Sequence, residues 1–196
     1  MKKNFLWLLL SGLPFVSFGQ AWIHAKTQEG ITVYTRISDD SPVKEFKAIG
    51  LLQASPEEIV SVLLDFEDYS AWYDHCKKAR LLAHHSDTSM TYYLELAMPF
   101  PFSNRDAVLD MTIDRQREHT TLRYDRNTYA MEEVDGVVRM PVSQGLWILT
   151  AKGDETEVVH QFRGDPAGQV PASIANLFVV AGPIQTLTAL QQFLSE

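Results

Sequence analysis

The stretch PFPFSNRDAVLDM, Pro99 to Met111, sets two Pro-Phe pairs, a polar turn and an Arg-Asp pair in front of a run that reads as a β-strand. Pro99 and Pro101 have no amide hydrogen, so they end the ladder of the strand before them, and each biases its preceding residue toward extended geometry. Phe100 and Phe102 are then expected to point the same way. Ser103 and Asn104 turn the chain. Arg105 enters the next strand on the parity of Ala107, Leu109, Met111 and Ile113, the apolar face, while Asp106, Asp110 and Asp114 take the opposite, wet one. An inward arginine demands an acceptor. An ion pair or a clamp on backbone carbonyls at the sheet rim is expected ahead of any catalytic role.

Working outward, Met90, Tyr92, Leu94, Leu96 and Met98 alternate on one face of the preceding strand. Strand-like pattern runs from Ala79 to Phe162, with turns at HHSDT, FSNRD, QREHT, EEVDG and KGDE, which describes an antiparallel meander. Upstream, Ile31–Arg36 and Val43–Leu52 read as a hairpin joined by SDDSP. Ser55-Pro56-Glu57-Glu58 is a capping box with proline at the first helical position, followed by the apolar stripe Ile59, Val60, Leu63 and Leu64. A second helix is expected over Phe66 to Lys78, carrying Tyr69, Trp72 and Tyr73. Downstream, Gly164 to Gly168 is a turn and Pro171 opens a long helix. Its apolar positions Ile174, Leu177, Phe178, Ala181, Ile184, Leu187, Leu190 and Leu194 recur at spacings of three and four and are expected to face the sheet. Gly182-Pro183 should kink it. The fold class is α+β.

The 196 residues suit one domain, with no internal repeat and no low-complexity linker. Met1-Lys2-Lys3, the apolar run Phe5–Phe18 broken by Ser11, Gly12 and Pro14, and the small residues of Ser17-Phe18-Gly19 read as a secretory signal peptide over 1–19, leaving a domain over 20–196. A membrane anchor is the rival reading, but the run is shorter than the ~20 apolar residues a span needs. The formal net charge is −8, and loss of Lys2 and Lys3 makes it two units more negative. Such a chain lacks the clustered cations that nonspecific nucleic-acid binding requires. Cys76 is the sole cysteine, so no internal disulfide can form. A periplasmic monomer held together by its core is expected.

No G-x-S-x-G elbow, H-E-x-x-H, P-loop or G-x-G-x-x-G occurs. His84-His85 and His75-Cys76 are the nearest approach to metal ligands, but neighbours on a strand point to opposite faces, so neither a metal nor another cofactor is expected. Glu132-Glu133 and Asp39-Asp40 read as solvated corners.

The ordered set EGITVYTR, VKEFKA, LLDFEDYSAWY, PFPFSNRDAV, QGLWIL and GDPAGQVPASIAN resembles the START (StAR-related lipid transfer) domain, from about Trp22 to the last residues. The resemblance implies a helix-grip fold, a curved antiparallel sheet wrapped around the long C-terminal helix and enclosing an apolar tunnel, with two short helices after the first strands. It places Trp72, Arg105, Asp106 and Pro166 on signature positions that define the fold. It also implies binding or transfer of a lipid or similar hydrophobic molecule, without chemistry and with at most transient membrane contact.

The tunnel walls expected on that basis are Tyr92, Leu94, Leu96, Leu109, Met111, Leu122, Tyr124, Trp147 and Phe162 from the strands, roofed by Ile174, Leu177 and Phe178. The alternative is an enzyme of the cyclase or aromatase kind on a related helix-grip fold, and a purely structural interaction domain is the third reading. A tunnel with one or two polar groups suits a binder, whereas an ordered Asp/His or Tyr/Arg constellation at its centre would favour the enzyme. For loading, Ala172–Ala181 and the Asp165–Pro171 loop are expected to tilt as a lid about Gly182-Pro183.

Overall fold

The computed structural model describes residues 20–38, 40–168 and 170–195. The leader read over 1–19, and Asp39 of the Asp39-Asp40 corner, lie outside the described residues. A ten-stranded sheet is the body of the fold. It begins with β1 (Ile23–Gln28), β2 (Ile31–Ser38) and β3 (Ser41–Leu52), and continues after the helices with β4 (Cys76–Ser86), β5 (Ser89–Leu96), β6 (Arg105–Arg115) and β7 (Thr120–Arg126). The two-residue β8 (Val138–Arg139), β9 (Val142–Lys152) and β10 (Glu155–Asp165) complete it. The strands lie in the order β1-β2-β3-β10-β9-β7-β6-β5-β4, all antiparallel, with β8 added in parallel to β6. Curved around the C-terminal helix α3 (Ala172–Phe193), the sheet forms the helix-grip expected from the resemblance.

Sequence alternation places most of this. Ile31 and Val33 on β2, Phe46 and Ala48 on β3, Tyr92 and Leu94 on β5, Ala107, Leu109 and Met111 on β6, and Val158 on β10 are all buried on one face. The strand β1 carries no such pattern because every residue on it is exposed, and it escapes a reading based on apolar alternation. What holds it is a two-residue turn in which Glu29 and Gly30 both take positive φ, 53° and 76°, the geometry of a primed hairpin turn.

The capping box forms as the sequence indicates. Ser55 Oγ accepts from the Glu58 amide, Glu58 Oε2 accepts from the Ser55 amide at 2.7 Å, and α1 (Pro56–Leu64) buries Ile59, Val60 and Leu63. The second helix does not run from Phe66 to Lys78. A 3-10 turn at Phe66–Asp68 leads into a single helical turn, α2 (Tyr69–Trp72), after which Tyr73 is extended and His75 adopts φ 57°. The three-and-four spacing of the aromatics is real, since Phe66 stacks on Tyr92 at 4.3 Å and Tyr69 lies parallel to Tyr73 at 5.6 Å. The chain beyond it, however, gains a full backbone ladder by pairing Cys76 with Leu96 and Lys78 with Glu95 as the start of β4. Tertiary pairing overrides local helical preference there.

The opening stretch also differs in part. Pro99 to Phe102 closes as a turn, with the Phe102 amide donating to Pro99 O at 3.0 Å, so Phe100 is 97% exposed while Phe102 is half-buried. Asp106 is not on a wet face. It is fully buried, because the segment that includes β8 covers the outer side of β6, and Arg139 grips it with a two-pronged bond of 2.8 and 3.0 Å. Arg139 also donates to Met131 O and Glu132 O. Asp40 is on the exposed corner expected of it, where it meets Arg163 in a surface ion pair.

Removing one member of a buried pair leaves a charge without a partner, at a cost of about 3–5 kcal/mol. Arg139→Gln is therefore expected to lose about that much in urea unfolding, and Asp106→Asn/Arg139→Gln less than the single change. A double variant as unstable as Arg139→Gln would show that some other contact holds this face.

Candidate functional site

A cavity of about 150 Å³ lies beneath the first half of α3. Its walls come from the start of β3 (Val43, Lys44, Phe46), the bend Tyr73–His75, the end of β5 and its exit (Leu96–Met98), Arg105, and His160, Phe162 and Gly164 on β10. Behind it is a chamber of about 30 Å³ walled by Tyr69, Tyr92, Leu94, Leu109, Tyr124, Ser143 and Trp147. Tyr73, Leu96, Met140 and Phe162 border both, and so form the partition between them. A wider groove of about 490 Å³ on the outer face of the sheet mixes Arg36, Arg123 and Arg163 with Glu45, Asp110 and Asp125.

Of the expected wall residues, Tyr92, Leu94, Leu96, Leu109, Tyr124, Trp147 and Phe162 border the inner chamber, and Leu96, Phe162 and Phe178 the outer cavity. Met111 and Leu122 border neither; both are fully buried in the packed core. Nor do Ile174 and Leu177 form the roof: Ile174 is half-buried, and Leu177 is 66% exposed. The stripe that faces the cavity is Ala175, Phe178, Val179, Gly182 and Thr186, rotated by one residue from the one expected. A helix this apolar on all sides offers several three-and-four stripes, and only packing selects among them. Past Pro183 the helix does bury the expected residues Ile184, Leu187 and Leu190, and it continues unbroken to Phe193.

Arg105 is the clamp anticipated for it, of the carbonyl kind. It is 4% exposed, and it donates to Ser103 O, Pro166 O and, at 3.3 Å, Ala167 O. Burial lowers its pKa, and no carboxylate lies against it among the described residues. Arg105 and Pro166 are thus joined, and the loop leading into α3 is fastened to the sheet. Asn176 adds a second tie, its Oδ1 accepting from the Lys44 amide at 2.8 Å and its Nδ2 donating to Pro42 O at 3.3 Å. Trp72, by contrast, is buried in the aromatic cluster with Nε1 unpartnered.

The sequence reading missed His160. It is 1% exposed, stacked on Trp147 with ring centroids 3.6 Å apart and met edge-on by Phe46 at 5.1 Å. Its Nε2 shares a 2.9 Å hydrogen bond with the Tyr124 hydroxyl, and Nδ1 has no partner. Desolvation drives its pKa down to about 3, so the imidazole is neutral. Period-two spacing from Val158 and toward Phe162 already marks position 160 as inward, and that signal could have found it. Tyr124 sits on β7, opposite Gly145 of β9, which in turn pairs with Phe162 of β10. A Cβ at Gly145 would lie 2.4 Å from the Tyr124 hydroxyl and 2.3 Å from Gln161 O. Glycine is required there for the tyrosine to cross one strand and reach the next.

Residues 17–196 match the START domain family model. An uncharacterized protein of Pseudomonas aeruginosa is 30% identical over 194 residues, 97% of this chain and 95% of that one. The phosphatidylcholine transfer protein of Mus musculus is 28% identical over 165 residues, 81% of this chain and 76% of its own. Among solved structures, a STAR-related lipid transfer protein of Xanthomonas axonopodis superposes with a TM-score of 0.84 at 32% identity, over 90% of this chain and 100% of that one. With the helix-grip sheet, the carbonyl clamp and a cavity under the last helix, the chain belongs to the START domain family.

Proposed function

We propose that the protein binds one lipid or other hydrophobic molecule in the cavity beneath the first half of α3 and carries it unaltered, as a monomer exported across the inner membrane. The observation that carries this reading is the cavity itself, walled mainly by apolar side chains, with the Tyr124–His160 pair buried at its inner side and Lys44, Asp74, His75 and Arg105 elsewhere on its wall. The relatives named for lipid transfer support the same class of function. For the cyclase alternative, a general base should titrate near the working pH. His160, held near 3, is better suited to holding a ligand than to moving its protons; the Asp74–His75 contact of 3.7 Å on the same wall, where burial raises the Asp74 pKa, is what the cyclase reading would have to use.

About 150 Å³ is small beside the ~300–1,000 Å³ of typical ligand sites. Loading a lipid therefore calls for a wall to move. The first half of α3 is a lightly buried wall: over 172–182 only Ala175 is buried, while Leu177 points outward and Phe178 is half-buried. No residue of α3 is charged, so its outward side could rest against acyl chains while open. Exposed Phe100 lies two residues beyond the Ala97–Met98 wall. The tie through Asn176 and the Arg105 clamp would hold this lid closed.

Native mass spectrometry of protein taken from the periplasm tests the reading directly. A chain beginning near Gln20 with one unmodified lipid bound is expected; a chain that never retains a hydrophobic molecule would overturn it. If Asn176 latches the lid, Asn176→Ala should speed exchange of a fluorescent lipid several-fold. An unchanged rate would move the gate elsewhere.

The neutral imidazole has its own signature. Because its folded pKa lies below the unfolded value, the unfolded chain binds the extra proton, and stability is lost as pH falls from about 6.5 toward 3. Between about pH 8 and about pH 5 the wild type should lose about 2 kcal/mol more than His160→Gln. Parallel pH profiles would show that the imidazole is not buried as described.

A further inference from the structure

The bond between Tyr124 and His160 leaves a proton unused. If the tyrosine hydroxyl donates to Nε2, the imidazole proton is on Nδ1, which is buried and has no partner. If Nε2 donates instead, the hydroxyl proton is the free one and Nδ1 becomes an acceptor. In either tautomer the pair retains one donor with nothing in the protein to receive it. Buried donors are rarely left so, and such a group at a cavity wall points to a ligand atom.

The position of the pair narrows the ligand. His160 borders the outer cavity and Tyr124 the inner chamber, so their bond crosses from one to the other beside the partition formed by Tyr73, Leu96, Met140 and Phe162. Ser143 Oγ, on the wall of the inner chamber, is buried and unpartnered too. The rings around the pair are those of Trp147, Phe46, Tyr73 and Phe162, and none of the charged groups on the outer wall, Lys44, Asp74 and Arg105, is hydrogen-bonded to it. The cation nearest in role, Arg105, has its donors committed to three carbonyls. A carboxylate or phosphate beside His160 would be desolvated against those rings, whereas a neutral oxygen would meet only a hydrogen-bond donor.

We propose that Tyr124 and His160 form a neutral anchor that donates a hydrogen bond to an uncharged oxygen of the bound molecule, a hydroxyl, ester or ketone. The site thereby favours lipids that bring an uncharged polar group inside over bare hydrocarbons and free acids. This rests on the reading of the cavity as a lipid site. Gly145 is part of the device, because any side chain there would push Tyr124 off His160.

Displacement of the neutral fluorescent probe N-phenyl-1-naphthylamine by hexadecane, methyl palmitate and palmitate, each delivered from cyclodextrin, tests it. For the wild type, methyl palmitate is expected to displace the probe at about tenfold lower concentration than hexadecane, the worth of one hydrogen bond, and ahead of palmitate. In Tyr124→Phe/His160→Leu the ratio between the displacing concentrations of hexadecane and methyl palmitate should fall from about ten to about one. Equal displacement by ester and hydrocarbon in the wild type, or strongest displacement by palmitate, would overturn the anchor and leave the lipid-site reading standing. Probe binding that none of the three relieves would overturn both. Should the double variant not fold, the wild type labelled with 15N-histidine decides. The imidazole that stays neutral at about pH 5 should shift on adding methyl palmitate and not on adding hexadecane. No shift with the ester would mean that water or protein already satisfies the pair.

Discussion

Arg105 sits where the apolar face of the sheet meets the loop leading into the last helix, and its guanidinium fastens the one to the other. The fork of donors reaches Ser103 O on its own strand's approach and Pro166 O and Ala167 O on the loop. Carbonyls accept without bringing a second charge into the interior, yet they satisfy the donors that burial has taken from water. The Ala167 amide donates to Asp165 Oδ1 at 2.8 Å, shaping the loop so that its carbonyls turn toward the arginine. The placement of the first turn of α3, and with it the roof of the cavity, depends on this junction.

From that junction α3 performs two different tasks. Beyond Pro183, full burial of Ile184, Leu187 and Leu190 against the sheet contributes roughly 1.5–3 kcal/mol per side chain. Before it, the helix spans a void, touching the rest of the protein through Ala175, Phe178 and Val179 and through the polar tie at Asn176. Local opening free energies follow local burial, so the first half is the cheaper part to lift. Pro183 stands at the boundary, where the amide that would have bonded to Val179 O is missing.

The buried polar pair at the inner side of the cavity has a structural cause. Tyr124 reaches His160 because β9 offers no side chain at Gly145, and His160 is dry because Trp147 and Phe46 cover its ring. Burial holds the imidazole neutral, and a neutral imidazole bonded to a phenol always keeps one donor in hand.

The amino-acid sequence by itself determined the strand parities, the capping box at Ser55–Glu58, the inward Arg105 and the long final helix, because each rests on local periodicity or on the chemistry of one or two residues. The ordered segments from EGITVYTR to GDPAGQVPASIAN also carried the family. Only the tertiary structure decided the rest. The chain after Trp72 became strand because β5 supplied a ladder, and Asp106 became buried because the segment carrying β8 folded over it with Arg139. The facing stripe of α3 was chosen by the cavity from several equivalent ones. Tyr124 and His160 lie 36 residues apart on strands that do not pair, joined across a glycine between them. Contacts of that kind arise from the order and curvature of the strands, and no spacing along the chain encodes them.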